Sequence, residues 1–170
     1  MEIFEVLKYC IPALVVFGTV YFLFDSFLKN QIMLKSLELQ AQSKDNVVLA
    51  KMQAYERLTL FCERINPYHM KLRLSLPDMS GKQLAASMVI AILQEYEHNL
   101  SQQLYVSPTL WKILLTVKEQ TIDLINKASE AVTPQASVDE FMEKLDQAVF
   151  NLGGLPTENG KKAIKKEAGL

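Results

Sequence analysis

The chain has 170 residues, of which 49% are hydrophobic and 22% charged, and its formal net charge is −1. This length suits about one domain with an appendage, and the near-neutral charge gives no electrostatic case for a nucleic-acid binder. Only six glycines and six prolines are present, which favours long helices over sheets. The composition therefore predicts an all-α protein.

The N-terminal segment reads YCIPALVVFGTVYFLF from Tyr9 to Phe24 and carries no charge. Its apolar residues lie on all sides of a helix, and with its apolar neighbours it is long enough to cross a hydrocarbon core of about 30 Å. The preceding MEIFEVLK lacks the positive charge of a signal peptide, and no small-residue cleavage site follows. We expect residues 1–28 to be a retained transmembrane anchor; a buried core helix is the alternative.

Lysines around this segment predict its orientation. Lys29, Lys35 and Lys44 follow it, whereas only Lys8 precedes it, beside two glutamates. The positive-inside rule then predicts a single-pass protein of the cell inner membrane, with its N-terminus outside and its C-terminal domain in the cytoplasm.

Neither cysteine suggests an oxidising compartment. Cys10 and Cys62 lie far apart and form no Cys-x-x-Cys pair. We expect both to be buried thiols that behave as small apolar residues.

A stalk helix is predicted over residues 29–47, because no glycine or proline occurs between Thr19 and Asn66. Apolar residues recur every seven positions through this segment and beyond it, which is typical of coiled coils. They are Leu34, Ala41, Val48, Tyr55 and Cys62. Lys44 and Lys51 interrupt the second apolar row that a coiled coil needs, so the heptad is imperfect. The stalk is therefore a candidate for self-association.

Residues 48–154 are predicted to form a cytoplasmic bundle of about four helices. Asn66-Pro67 ends the first of them, and the second runs from about Ser80 to Leu104. Its core, LAASMVIAIL, is too short to span a membrane, so we expect a buried bundle helix.

Local signals mark the other two bundle helices. Ser107 and Pro108 are typical of an N-cap and a first helical position. The segment from Ser137 to Glu140 has the pattern of a capping box, and Gly153-Gly154 closes the last helix.

The basic C-terminal tail, residues 155–170, carries Lys161, Lys162, Lys165 and Lys166. Two interpretations stay open. The tail is either a solvated, frayed terminus, or its lysines contact the anionic headgroups of the lipid bilayer.

Glu95 and His98 have the three-residue spacing that di-iron bundles use, but such bundles need two Glu-x-x-His pairs. The other histidine, His69, has no glutamate three residues before it. On a helical wheel Glu95 lies at the edge of the apolar arc and His98 points away from it. The sequence therefore predicts no metal site, and a metal-binding enzyme or sensor built on Glu95 and His98 remains the alternative.

Two amides of the same stretch, Asn99 and Gln103, fall inside that apolar arc. Buried amides must be hydrogen-bonded, so we expect them to fix a helical hairpin together with Ser107 and Pro108. The expected partners are the backbone at Tyr105-Val106 and polar groups such as Thr121. A polar recognition surface for a partner is the alternative.

A candidate partner interface combines Trp111 and Tyr105 with Glu95 and His98, since tryptophan and tyrosine are enriched in binding hot spots. Trp111 is the only tryptophan, and a place in the core is its alternative role. No phosphate-binding loop, nucleophile elbow or zinc-protease motif occurs, so no catalytic residue and no cofactor is predicted.

The segments AYERLTLFCERINP and QEYEHNLSQQLYVSPTLW, following an N-terminal anchor, resemble an uncharacterised bacterial family of short, single-span helical proteins. The resemblance covers nearly the whole chain. It implies the anchor-plus-bundle architecture and a bacterial inner-membrane setting, and it implies no activity, ligand or catalytic residue.

The leading functional hypothesis is a non-enzymatic accessory or scaffolding subunit of a larger inner-membrane complex, with the helical domain as its docking module. Other membrane-protein subunits are the expected partners. A membrane-recruited binder of ribosomes or nucleic acid, acting through the lysine-rich tail, is a further alternative.

Overall fold

The computed structural model describes the backbone of residues 2–170 and the side chains of residues 14–39, 42 and 46–170. The chain divides into two compact units, Met1–Val48 and Leu49–Leu170. All regular structure in the described residues is helical, apart from one isolated bridge between Ser80 and Ser137. The predicted all-α class is confirmed.

Six α-helices and one 3-10 turn occur in the described residues. They are α1 (Glu2–Arg64), α2 (Pro67–Leu74), α3 (Gly81–Asn99), the 3-10 turn (Leu100–Leu104), α4 (Pro108–Glu130), α5 (Val138–Leu152) and α6 (Pro156–Ala168).

In the first unit, α1 leaves large apolar side chains exposed. Val15, Phe17 and Phe22 are 63%, 71% and 72% exposed. No helix within the described residues is long and apolar enough to cross a membrane. The anchor predicted over residues 1–28 depends in part on residues 1–13, whose side chains lie outside the described residues.

Asn66 and Pro67 both end α1 and begin α2. The Asn66 side chain accepts a hydrogen bond from the Tyr68 amide at 3.0 Å, and Pro67 occupies the first helical position. The sequence predicts only that this pair ends a helix. The same residue types are the preferred N-cap and first helical residue, so the start of α2 was present in the sequence.

The first turns of α3 and α5 lie against each other. Each begins with a capping box, Ser80 with Gln83 and Ser137 with Glu140. The Gly81 amide donates to the Ala136 carbonyl oxygen at 2.9 Å. A Cβ atom at Gly81 would lie 2.9 Å from the Ser137 carbonyl oxygen, so only glycine allows this close approach.

The buried hydrophobic core of the described residues lies entirely in the second unit, between Ala54 and Ile164. The apolar segment of α3 contributes one face to this core, including Leu84, Met88 and Ile92. Its other face is open, with Ile90 56% and Leu93 44% exposed. The predicted buried bundle helix is therefore buried on one face, because the bundle covers α3 on one side only.

The segment after residue 154 is a helix packed into the bundle and not a frayed tail. Its inner face buries Pro156, Thr157, Gly160 and Ile164, mainly against α4. The missing side chain of Gly160 lets α6 approach closely, since a Cβ there would lie 2.9 Å from the Cys62 Sγ. Lysines dominate this segment, but its few small and apolar residues recur at helical spacing and decide how it packs.

Candidate docking groove

A polar groove of about 590 Å³ runs between α1 and α3. We call it the α1–α3 groove. Its walls are Gln53, Glu56, Arg57, Leu60 and Arg64 of α1, and Glu95, His98 and Asn99 of α3.

One ion pair and one amide order the α3 wall. Arg64 Nη1 lies 3.3 Å from both carboxylate oxygens of Glu95, which it contacts across the groove. The Asn99 side-chain amide donates to the Glu95 carbonyl oxygen at 2.8 Å, with a weaker contact to the Glu95 carboxylate at 3.4 Å. The Glu95 carboxylate is thus held by two neighbours and faces the groove.

His98 is exposed at the mouth of the same groove. Its Nδ1 lies 3.1 Å from the Gln94 carbonyl oxygen, one helical turn earlier, so Nε2 is the ring nitrogen left for a ligand. Among the described residues, no three histidine, cysteine, aspartate or glutamate side chains come together as metal ligands. In these positions Glu95 and His98 can form hydrogen bonds with a ligand.

A second recess, of about 340 Å³, adjoins the groove toward the 3-10 turn. It is lined by Ala50, Gln53, Arg57, Ser101, Gln102, Leu104 and Tyr105. Gln53 and Arg57 line both spaces, so the α1–α3 groove continues from His98 to Tyr105. Three of the four residues predicted as a partner interface, Glu95, His98 and Tyr105, therefore lie along one surface.

Arg57 lies at the junction of the two spaces and is not among the residues predicted from the sequence. Arg57 is exposed and has no ion pair among the described residues. The signal was present in the sequence: Gln53, Arg57, Leu60 and Arg64 are spaced by four, three and four residues, which places them on one face of α1. This stripe lies outside the row of apolar heptad residues, so it marks a second, solvent-facing surface of α1.

Trp111 lies outside both recesses. Its half-buried ring stacks on Tyr96, with centroids 5.9 Å apart, and the Lys118 ammonium lies 4.5 Å from the Tyr96 ring centroid on α3. These contacts join α3 to α4. Trp111 therefore has a packing role here, which is the alternative that the sequence left open.

Of the two amide side chains predicted to fix the hairpin, one is buried and the other is exposed. Asn99 is buried as expected, but it bonds to Glu95 of its own helix and not to the loop or to Thr121. The hydroxyl of Thr121 instead donates to the Val117 carbonyl oxygen. Gln103 is exposed, and Gln102 is buried in its place.

The cause of this correction is the change of helix type at Leu100. In an α-helix Gln103 would follow Asn99 on the same face, four residues later. In a 3-10 helix side chains three residues apart eclipse each other, so Gln102 takes the inward position.

Ser107 and Pro108 begin α4 as the sequence predicts, and a residue of α6 joins them. The Ser107 hydroxyl accepts from the Leu110 amide at 3.1 Å, and Pro108 is the first helical residue. Glu167 accepts hydrogen bonds from the Ser107 amide at 2.9 Å and from the Ser107 hydroxyl. Tyr55 also contacts Glu167, and burial together with this carboxylate raises the tyrosine pKa.

The four lysines of α6 divide into two groups. Lys161 is turned into the bundle, where its ammonium lies 2.7 Å from both Glu63 and Glu158. Hydrogen bonds to Glu158 and Glu63 raise the pKa of Lys161. Lys162, Lys165 and Lys166 are exposed, so only these three are placed as the predicted lipid contact requires.

Comparison with known protein families assigns this chain to one family. Residues 1–169 match the model of a family described as a family of unknown function, DUF7935. The chain belongs to that family, which confirms the expected uncharacterised family. Searches of the curated proteins and of the solved structures find no match.

Proposed function

We propose that this member of the family is a non-enzymatic docking subunit of a larger inner-membrane complex. Residues 1–28 anchor it, and the unit Leu49–Leu170 lies in the cytoplasm, where its α1–α3 groove binds a segment of a partner subunit. The observation that carries this proposal is the groove itself, which brings Glu95, His98 and Tyr105 together with Arg57.

The charges of the groove indicate the chemistry of its ligand. Arg57 and Arg64 are balanced by Glu56 and Glu95, so the groove does not favour a polymer of one charge. The Arg57 guanidinium is available for a carboxylate or a backbone carbonyl, and Gln53 and His98 add hydrogen-bonding groups. A polar polypeptide segment matches this surface, with an acidic side chain or carbonyl group opposite Arg57.

The anchor proposal is supported by the exposed apolar side chains of α1 between Leu14 and Leu28. Exposed apolar surface of this extent indicates a membrane or a partner. The exposed Leu34 and Leu37 further along α1 make self-association of the stalk a second use of the same unit.

The groove is tested by partner retention in full-length protein. Tagged chains are extracted from their native membrane in a mild detergent, and the co-purifying subunits are quantified for the wild type, Arg57→Ala and Lys112→Ala. We expect Arg57→Ala to weaken the association by about tenfold, as for an interface hot spot of ~1.4 kcal/mol. Lys112 is exposed on α4 outside the groove, so its substitution leaves the association unchanged.

Two results would contradict the docking function. One is a wild-type protein that leaves the membrane alone and monomeric under gentle extraction. The other is equal loss of partner in both variants, since that would place the contact elsewhere.

The anchor is tested separately by washing membranes with alkaline carbonate. We expect the full chain to stay in the pellet and a chain lacking residues 1–28 to be released. Release of the full chain would reject the anchor without bearing on the groove.

A further inference from the structure

The outer face of α6 carries three exposed lysines and one exposed acid, Glu158. Lys162, Lys165 and Lys166 all point away from the face that carries Gly160 and Ile164, which packs on the bundle. Glu167 accepts hydrogen bonds from Ser107, whereas Glu158 shares the Lys161 ammonium with Glu63 and lines a recess beside Lys162. Three exposed lysines against one partly neutralised glutamate leave this face net basic.

Apolar groups adjoin this lysine face where α5 turns into α6. Leu152 and Lys162 line one recess together with Gly153 and Gly154, and the neighbouring recess with the same two glycines is lined by Phe150. Phe150 is 86% and Leu152 50% exposed. We call Phe150, Leu152 and the three exposed lysines the lysine corner.

A leucine that shares a recess with Lys162, and an aromatic ring in the neighbouring recess, match the two layers of an anionic bilayer surface. Lysines are attracted by the headgroup charge, and apolar side chains enter the boundary below the headgroups. The one acid that lines the Phe150 recess, Asp146, accepts a hydrogen bond from the Tyr68 hydroxyl at 2.7 Å. A nucleic acid would satisfy the lysines alone and would leave Phe150 and Leu152 in water.

We infer that the lysine corner binds the surface of an anionic membrane and so orients the second unit on the bilayer. The inference rests on the proposed membrane attachment, but it assigns a contact that the anchor alone does not require. Each lysine near an anionic surface contributes a factor of about five to the ratio of bound to unbound corner, so three contribute about 100-fold.

The test places a fluorescent reporter at the lysine corner of the full-length chain. Trp111→Phe removes the native tryptophan, and Phe150→Trp supplies the only indole. The protein is mixed with vesicles of phosphatidylcholine alone, or of phosphatidylcholine with phosphatidylglycerol, in which the acyl chains carry bromine as a quencher. Flotation of the vesicles measures attachment, and quenching of the indole measures insertion of the lysine corner.

We expect strong quenching in vesicles that contain phosphatidylglycerol and little in pure phosphatidylcholine. The triple variant Lys162→Gln, Lys165→Gln and Lys166→Gln should lose this quenching. A matched triple variant of exposed lysines elsewhere, at Lys51, Lys112 and Lys127, should retain it. A reporter on the outer face of α3, Ile90→Trp, should stay unquenched, because α4 packs between α3 and α6.

The outcomes separate the two proposals. Flotation with every vesicle but no quenching of the indole at position 150 rejects the lysine corner and leaves the anchor standing. Flotation only with anionic vesicles rejects the anchor and supports the lysine corner. No flotation at all rejects both. Equal quenching with both lipids, or lysine-dependent binding of an RNA probe without quenching, also overturns the inference.

Discussion

Asn99 and His98 are neighbours in the sequence with opposite surroundings. Asn99 is buried and its amide donates to the Glu95 carbonyl oxygen, whereas His98 is exposed. We expect Asn99→Ala to lower the free energy of unfolding by about 1–2 kcal/mol through the lost hydrogen bond. His98→Ala should change it by less than about 0.5 kcal/mol. Denaturant unfolding measures both, and a larger effect at His98 would overturn this assignment.

The buried thiol of Cys62 makes stability depend on alkaline pH. Burial raises its pKa from 9.0 to about 12. Above pH 9 the unfolded chain loses the thiol proton while the folded chain keeps it, so the folded state loses stability as pH rises toward 12. The slope approaches about 1.4 kcal/mol per pH unit. Unfolding curves at pH 8 to 11 should show a steeper decline for the wild type than for Cys62→Ala; parallel declines would contradict this.

Residue identity predicted burial well where the helix type stayed constant. Glu95 lies at the edge of the apolar face of α3 and His98 lies on its exposed side, as the helical wheel indicates. Gln103 was predicted wrongly because the wheel assumed an α-helix beyond Leu100. No residue in LSQQL signals the change to a 3-10 helix, since none of them is a proline or glycine that would interrupt an α-helix.

At the scale of helices, α6 depends on a glycine. A Cβ at Gly160 would lie 2.9 Å from the Cys62 Sγ and 3.3 Å from a Val117 methyl carbon. Gly160→Ala should therefore cost about 1–3 kcal/mol in unfolding free energy, although alanine is the better helix former. In the Cys62→Ala background the cost should shrink, because the closest contact is gone. A double-mutant cycle measures this coupling, and strict additivity would show that Gly160 is not held against Cys62.

The first residues of α4 and α5 were predictable because a serine N-cap precedes each helix. Ser107-Pro108 and Ser137 with Glu140 begin α4 and α5 as the sequence indicates. The docking of α6 was not predictable, since the partners of Glu158 and Glu167 are Lys161, Ser107 and Tyr55, two of them far away in sequence. The α1–α3 groove also needed the structure, because α1 and α3 are separated by α2 and a loop.

For the whole molecule, the position of the core predicts an independent folding unit. All buried hydrophobic residues of the described chain lie between Ala54 and Ile164. A fragment of residues 49–170 should fold without detergent and melt cooperatively, as expected of a domain with its own core. Circular dichroism against temperature is the measurement; a broad, non-cooperative melt would show that the first unit supplies stability.

The 3-10 turn also affects the distance along the chain. A 3-10 helix rises about 2.0 Å per residue against 1.5 Å in an α-helix, so the five residues Leu100–Leu104 advance about 2.5 Å further than α-helical ones. Ser107, three residues after this turn, donates its amide hydrogen to Glu167 of α6. We therefore expect deletion of one residue of the turn to displace Ser107 and to free the end of α6, more than sixty residues later. Faster amide hydrogen exchange at Glu167 and Ala168 would measure this effect.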